Sequence, residues 1–110
     1  MASFKNVYES WKKNQTNFWK NQSEDIVWKK KPSKILDDTN APFYKWFPKA
    51  TLNTSYNAID RHVNAGRGEQ DAIIYDSPIT NVKSKISYAQ LQYQVSQFAG
   101  ALLKLGVQKG

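Results

Sequence analysis

The 110-residue sequence contains no cysteine, one methionine, one histidine and two arginines among sixteen basic side chains. The absence of cysteine removes a disulfide framework, a zinc finger and a thiol nucleophile, and it allows a reducing compartment. Long apolar runs are also missing. A membrane helix needs roughly 18 to 20 uncharged apolar residues, whereas the longest candidates here, residues 72–75 and 98–103, are short. The expectation is a soluble protein with no membrane partner. The opening residues MASFKNVYESWK lack the apolar core of a secretory signal and contain no arginine, and Glu9 speaks against a mitochondrial presequence. The cytoplasm is the default location, with a mitochondrial one left open. No Walker sequence, GxGxxG, GxSxG or HExxH occurs anywhere.

What is present bounds the chain to one domain at most. Hydrophobic residues make up 40% and aromatic residues 14%, too apolar for disorder despite a mean hydropathy of −0.70, so some packed core is expected. The formal net charge is +7 and is unevenly spread: residues 1–50 hold ten Lys against five acids, all four Trp and three of the four Pro. Residues 51–110 hold four Lys and two Arg against four acids, which splits the net charge as +5 and +2. Two segments are therefore expected, an aromatic-rich wrapping segment over residues 1–50 and an α/β segment over 51–110.

Phe4, Val7, Tyr8 and Trp11 recur at helical spacing and predict a short amphipathic helix. Thr16 is a candidate N-cap for a second helix carrying Phe18 and Trp19, and Pro32 stops any helix running on from Val27. Residues 32–48 should be extended and irregular, with Ile35-Leu36 and Trp46-Phe47 as short strands. Further on, Asn53 or Thr54 caps a predicted helix that runs to about Ala65, with Tyr56, Ile59 and Val63 on one face and Gly66 at its left-handed end. Residues 72–75 and the alternation of Val82, Ser84 and Ile86 with Lys83 and Lys85 predict a β-hairpin, with Ser77-Pro78 and Asn81 in its turn. Ser87 with Gln90 forms a capping box, and Leu91, Val95, Phe98, Leu102 and Leu105 make an apolar stripe, widened by Ala99 and Leu103. Gly106 ends that helix with Val107 placed for a Schellman stop. An α/β pattern would next enter a strand, so the ending at Lys109-Gly110 reads as an interruption.

Each candidate for chemistry has a plainer structural reading. Lys29-Lys30-Lys31 after Trp28 could meet phosphates, with aromatic residues stacking on bases. The other lysines are dispersed, however, and the triplet reads more simply as a solvated face beside a packed Trp, so nucleic acid is not the expected partner. Asp60-Arg61-His62 on a helix would point about 100° apart per residue, so the three cannot converge on one substrate. No further His or Cys stands near enough for a metal site, which leaves hydrogen bonding within the fold, with Asp60 or Arg61 pairing a distant group. Gly66-Arg67-Gly68 follows a helix, whereas a phosphate loop precedes one, so it reads as a helix end and turn. Asp37-Asp38 reads as a turn or cap, and the four Trp as packing anchors.

One stretch says more than these rules. Trp46-Phe47, Leu52-Asn53, Tyr56-Asn57-Ala58-Ile59-Asp60-Arg61-His62, Gly66-Arg67-Gly68 and Ala72-Ile73-Ile74-Tyr75 resemble the N-terminal region of AMP-forming short-chain acyl-CoA synthetases, in the adenylate-forming superfamily. Phe18-Trp19 and Val27-Trp28 match the aromatic residues that open this region in the acetate and propionate enzymes. Ile86-Ser87-Tyr88 with Leu91, and Gly106-Val107-Gln108-Lys109-Gly110, resemble its later helix start and exit. The resemblance covers nearly the whole chain in order. Ala58 stands where acetate-type enzymes commonly have Cys, Ser87 replaces the usual Thr, and Tyr75-Asp76-Ser77-Pro78 with Thr80 looks closer to the propionate branch.

The resemblance implies an incomplete piece of a larger α/β adenylate-forming domain. It implies an enzyme that joins a carboxylic acid to coenzyme A, using ATP and magnesium and releasing AMP and pyrophosphate. The family's phosphate loop, ribose-binding carboxylate, acyl pocket, lid lysine and coenzyme A arginines do not match any stretch of this sequence. No catalytic, cofactor-binding or metal-binding position is therefore expected here, and ATP, magnesium and coenzyme A belong to a full-length enzyme. The chain alone should be inactive, with the remainder of the synthetase as its partner. Two rivals follow: an interaction module that docks on a full-length paralogue through the Leu91 to Leu105 stripe, and, more weakly, a basic nucleic-acid-binding module.

Overall fold

A computed structural model describes residues 3–108; the Lys109-Gly110 ending lies outside the described residues. The architecture is mixed α/β, with helices and, among the described residues, three small antiparallel two-stranded sheets. The chain forms two compact units that divide between Asn53 and Thr54. None of its helices, among the described residues, is long and apolar enough to cross a membrane.

In the first unit, α1 (Phe4–Lys13) starts where Ser3 accepts a hydrogen bond from the Asn6 amide. Its apolar positions stack along one side, with the Phe4 and Tyr8 ring centroids 6.1 Å apart and those of Tyr8 and Trp11 5.6 Å apart. The second helix, α2 (Gln15–Gln22), is capped by Asn14 and not by Thr16: Asn14 Oδ1 accepts from the Asn17 amide at 2.9 Å. Asn is at least as good a cap as Thr, and Asn14 also closes α1 by donating its own N–H to the Ser10 carbonyl. A 3₁₀ turn at Ser23–Asp25 follows, and no helix runs on from Val27.

The chain instead enters β1 (Trp28–Lys30), which pairs with β4 (Thr51–Leu52). Between them β2 (Leu36–Asp37) pairs with β3 (Lys45–Trp46), one residue away from the expected Trp46-Phe47. Phe47 leaves the strand because its backbone is left-handed, at φ 49°. Its amide donates to the Ile35 carbonyl at 2.7 Å, and its ring lies against Trp28 and Trp46.

In the second unit, helical winding begins at Thr54, but most of it is π-helical, over Tyr56–Asp60 and Val63–Arg67. The left-handed break falls at Gly66, at φ 77°, as expected for a residue without Cβ. The hairpin pairs β5 (Asp71–Ser77) with β6 (Val82–Ser87) across a turn in which Asn81 takes φ 52°. Asp76–Lys83 at 2.9 Å and Asp71–Lys85 at 2.5 Å link the strands.

The long helix α3 (Tyr88–Lys104) has both bonds of its capping box: the Gln90 amide donates to Ser87 Oγ at 3.3 Å and the Ser87 amide to Gln90 Oε1 at 3.0 Å. Its far end is a Schellman stop, with the Val107 amide donating to Leu102 at 3.1 Å and Gly106 to Leu103 at 3.0 Å.

The core is thin. Ile59 is the buried apolar residue and Ser23 the buried polar one, and no large side chain is fully buried among the described residues. On the α3 stripe Phe98, Leu103 and Leu105 are 66%, 71% and 80% exposed, while Leu91, Val95 and Leu102 are half-buried. With so little burial to hold α3, its cap carries weight: Ser87→Ala should cost about 1 kcal/mol. Amide hydrogen exchange should then show protection at Gln90 falling about fivefold.

Candidate functional site

The first unit is joined by aromatic rings in sequence: Phe18 to Trp19 at 5.3 Å, Trp19 to Trp46 at 6.2 Å, Trp46 to Phe47 at 6.1 Å and Phe47 to Trp28 at 5.4 Å. The Trp28 indole N–H donates to the Ser23 carbonyl at 2.9 Å. These are packing contacts of the tilted and edge-to-face kind that aromatic pairs favour, and they tie α2, β1 and β3 together. Lys29, Lys30 and Lys31 stand exposed beside half-buried Trp28. Asp37 forms a local turn: its Oδ1 accepts from Lys34 Nζ at 3.0 Å, from Thr39 Oγ1 at 2.9 Å and from the Thr39 amide at 3.4 Å. The Lys34 contact first, then Thr39, lowers the Asp37 carboxyl to about 2. Asp38, which adjoins it in sequence, is exposed.

In the second unit, the Gly66-Arg67-Gly68 turn and the start of α3 close on each other. The Tyr88 amide donates to the Gln70 carbonyl at 3.1 Å and the Ala89 amide to the Gly68 carbonyl at 2.9 Å. A Cβ on Gly68 would come within 3.6 Å of the Ala89 Cβ, ordinary contact, so the carbonyl placement rather than lack of space is what this turn supplies. With the Gln90 amide on Ser87, the first three N–H groups of α3 are taken inside the fold, and its N-terminus offers no amide cradle for an anion.

Asp60 and His62 diverge, as the spacing predicts. Asp60 Oδ1 accepts from Gln92 Nε2 at 2.7 Å across 32 residues of chain. His62 turns to α3, its ring centroid 4.7 Å from that of Tyr88, and its Nδ1 meets Arg67 Nη2. Arginine can only donate, so Nδ1 accepts and the ring proton sits on Nε2. Partial burial first, then the charges of Arg67 and Arg61, holds His62 below its ordinary 6.5.

The Arg67 contact is one that sequence reasoning missed. Residues five apart do not face each other on an α-helix; here the left-handed Gly66 interrupts the winding between them, and His62 and Arg67 meet across that break. The available signal was Gly66, whose position fixes where the winding must break. No group of three or more His, Cys, Asp or Glu that could hold a metal ion is formed among the described residues.

Residues 4–58, half of the chain, match the family described as acetyl-coenzyme A synthetase N-terminus. The chain belongs to this family. The acetyl-coenzyme A synthetase of Streptomyces coelicolor is 46% identical over 104 residues, covering 94% of this chain and 16% of that protein. The mitochondrial acyl-CoA synthetase short-chain family member 3 of Bos taurus is 48% identical over 93 residues, covering 84% of this chain and 14% of that protein. The acetyl-coenzyme A synthetase of Burkholderia mallei is 44% identical over 111 aligned residues, covering 100% of this chain and 17% of that protein. The chain thus spans about a sixth of the length of these relatives.

Within this N-terminal region of a short-chain acyl-CoA synthetase, residues that carry the family likeness make packing and hydrogen-bond contacts inside their own unit. Trp46 and Phe47 belong to the ring series, Asp60 and His62 hold α3, and Gly68 accepts from its first turn. Tyr75, Ser77 and Thr80 form a hydroxyl cluster at the hairpin end, where hydrogen bonding to Ser77 first and then Thr80 lowers the Tyr75 phenol.

The His62 environment makes the fold sensitive to acid. A histidine held below its unfolded value contributes stability that is present above pH 6.5 and is lost as the pH falls from there through the lower folded value. Thermal unfolding of the chain should therefore move to lower temperature between about pH 7.5 and pH 5.5, and His62→Gln should flatten that dependence.

Proposed function

We propose that this chain serves as the N-terminal scaffold segment of an AMP-forming acid–coenzyme A ligase acting on acetate or propionate. That enzyme would convert acid, ATP and coenzyme A to acyl-CoA, AMP and pyrophosphate, with magnesium accompanying the ATP. The observation that carries this reading is the 44% identity to an acetyl-coenzyme A synthetase across the whole chain. The geometry supports a scaffold role, because the polar groups that drew attention in the sequence are engaged within their own unit: Asp37 by Lys34 and Thr39, Asp60 by Gln92, and the first α3 amides by Ser87, Gly68 and Gln70. None of them is held out toward a reacting group.

The Tyr75-Asp76-Ser77-Pro78 stretch with Thr80 resembles the propionate branch, while the reading covers acetate and propionate alike. These residues shape the hairpin turn, so the resemblance is one of sequence and not of an acyl pocket. The compartment is placed in the cytoplasm by default; the bovine relative carries a mitochondrial name. The decisive assay is acid-dependent ATP–pyrophosphate exchange by the purified 110-residue chain. No exchange is expected, and clear turnover would overturn the scaffold reading.

A second reading is favoured by the exposed side of α3, where Phe98, Leu103 and Leu105 stand open. Apolar patches of this kind mark contact surfaces. Here the chain would be a non-catalytic module docking on a full-length synthetase. Co-expression with a full-length relative discriminates the readings: a stable complex that Leu105→Glu abolishes favours the docking module, and separate elution removes it.

A further inference from the structure

We propose that the concavity beside Trp28 in the first unit is a binding site for a small aromatic monoanion. It measures ≈ 410 Å³, a size usual for small-molecule sites, and is formed by the end of α2, the turn after it, β1 and the stretch that follows. Its apolar lining is Ile26, Trp28, Pro32 and Ile35, all half-buried. These walls are held from behind. The Phe47 amide donates to the Ile35 carbonyl at 2.7 Å, and the Phe47 ring centroid lies 5.4 Å from that of Trp28. The Trp28 indole N–H is anchored on the Ser23 carbonyl at 2.9 Å, and the ring of Pro32 fixes its own backbone. The cavity is therefore shaped before any ligand arrives.

The polar groups decide the sign of the ligand. Ser23, the buried polar residue, also lines the cavity, but its hydroxyl donates to the Lys20 carbonyl at 2.7 Å and its carbonyl accepts from Trp28 and from the Ile26 amide. The remaining polar side chains of the lining are charged and exposed: Lys20, Lys31 and Glu24. Neither lysine forms an ion pair among the described residues, where the paired lysines are Lys34, Lys83 and Lys85. Two ammonium groups against one carboxylate leave the mouth a net charge of +1, matched to a ligand with one negative charge. An ammonium only donates, so it calls for an anionic acceptor, and the flat faces of Trp28 and Pro32 suit an aromatic body. The aromatic groove on α1 that includes Trp11 has no charged residue in its lining and serves as an internal control. The inference does not rest on the proposed ligase activity.

The probe is benzenesulfonate, with benzenesulfonamide as its uncharged match, each titrated into the 110-residue chain and followed through the indole N–H signals in the NMR spectrum. The chain has four tryptophans, and Trp28→Phe identifies the Trp28 signal by its loss. Benzenesulfonate should displace that signal saturably and leave the Trp11 signal in place. The sulfonamide should bind about fivefold more weakly, the share of two exposed charge contacts. The double variant Lys20→Gln, Lys31→Gln alters exposed positions only; it should weaken the sulfonate about fivefold and leave the sulfonamide as it was. Comparing the two probes on the unaltered chain does not depend on any variant folding. The proposal is overturned by the absence of a saturable displacement at Trp28, by Trp11 moving in step with Trp28, by equal affinity for the two probes, or by a double variant that holds the sulfonate as tightly as the parent.

Discussion

The first turn of α3 is where the second unit is tied together. A helix begins with N–H groups that its own winding leaves unsatisfied, and burying them without partners is costly. Here each of the first three finds a partner, two of them the Gln70 and Gly68 carbonyls of the turn after Gly66 and the third the Ser87 hydroxyl. The same turn receives His62 through Tyr88, and Gln92 reaches Asp60 one turn further along. The π-helical segment, the turn at Gly66 and the hairpin thus all meet at one helix end. The family's Ile86-Ser87-Tyr88 pattern coincides with that junction.

This dependence on directional contacts follows from how little apolar surface is removed from water. Fully burying a large apolar side chain contributes roughly 1.5 to 3 kcal/mol, yet Ile59 is the buried apolar residue among those described. Rings in the first unit and hydrogen bonds in the second do what a packed core does in a larger domain. The two units also differ in charge: the first holds most of the lysines, set out on exposed positions around a series of aromatic rings, and the second holds both arginines.

Local signals were read well wherever the deciding atoms lie close in sequence. The Ser87-Gln90 box, the Gly106 stop with Val107, and the hairpin with Asn81 in its turn are each fixed within four or five residues, and each stands as expected. Asn14 was overlooked because Thr16 and Asn14 are both competent caps, and the end of α1 decides between them. The positions of β2 and β3 were legible to within one residue from Ile35-Leu36 and Trp46-Phe47, whereas their pairing, and the strands β1 and β4, depend on residues distant in sequence and were not. The π winding could not be read, because hydrophobic periodicity places Tyr56, Ile59 and Val63 on one α-helical face without revealing how the backbone carbonyls are shared. At the candidate site, Asp60-Arg61-His62 and Gly66-Arg67-Gly68 stand as two features in the sequence, and the contact of His62 with Arg67 across Gly66 makes them one.

The hairpin has a consequence for how such a chain can vary. Its tip, Pro78 to Asn81, lies between strands whose register is set by paired side chains further down, and Ile79 there is 95% exposed. Lengthening a surface loop costs little, about 0.6 kcal/mol for each doubling, and exposed tips are where added residues are best tolerated. The β5–β6 turn is thus the place where lineages could gain or lose length, or an engineer could splice in a peptide, while the pairing from Ser77 and Val82 downward stays in step.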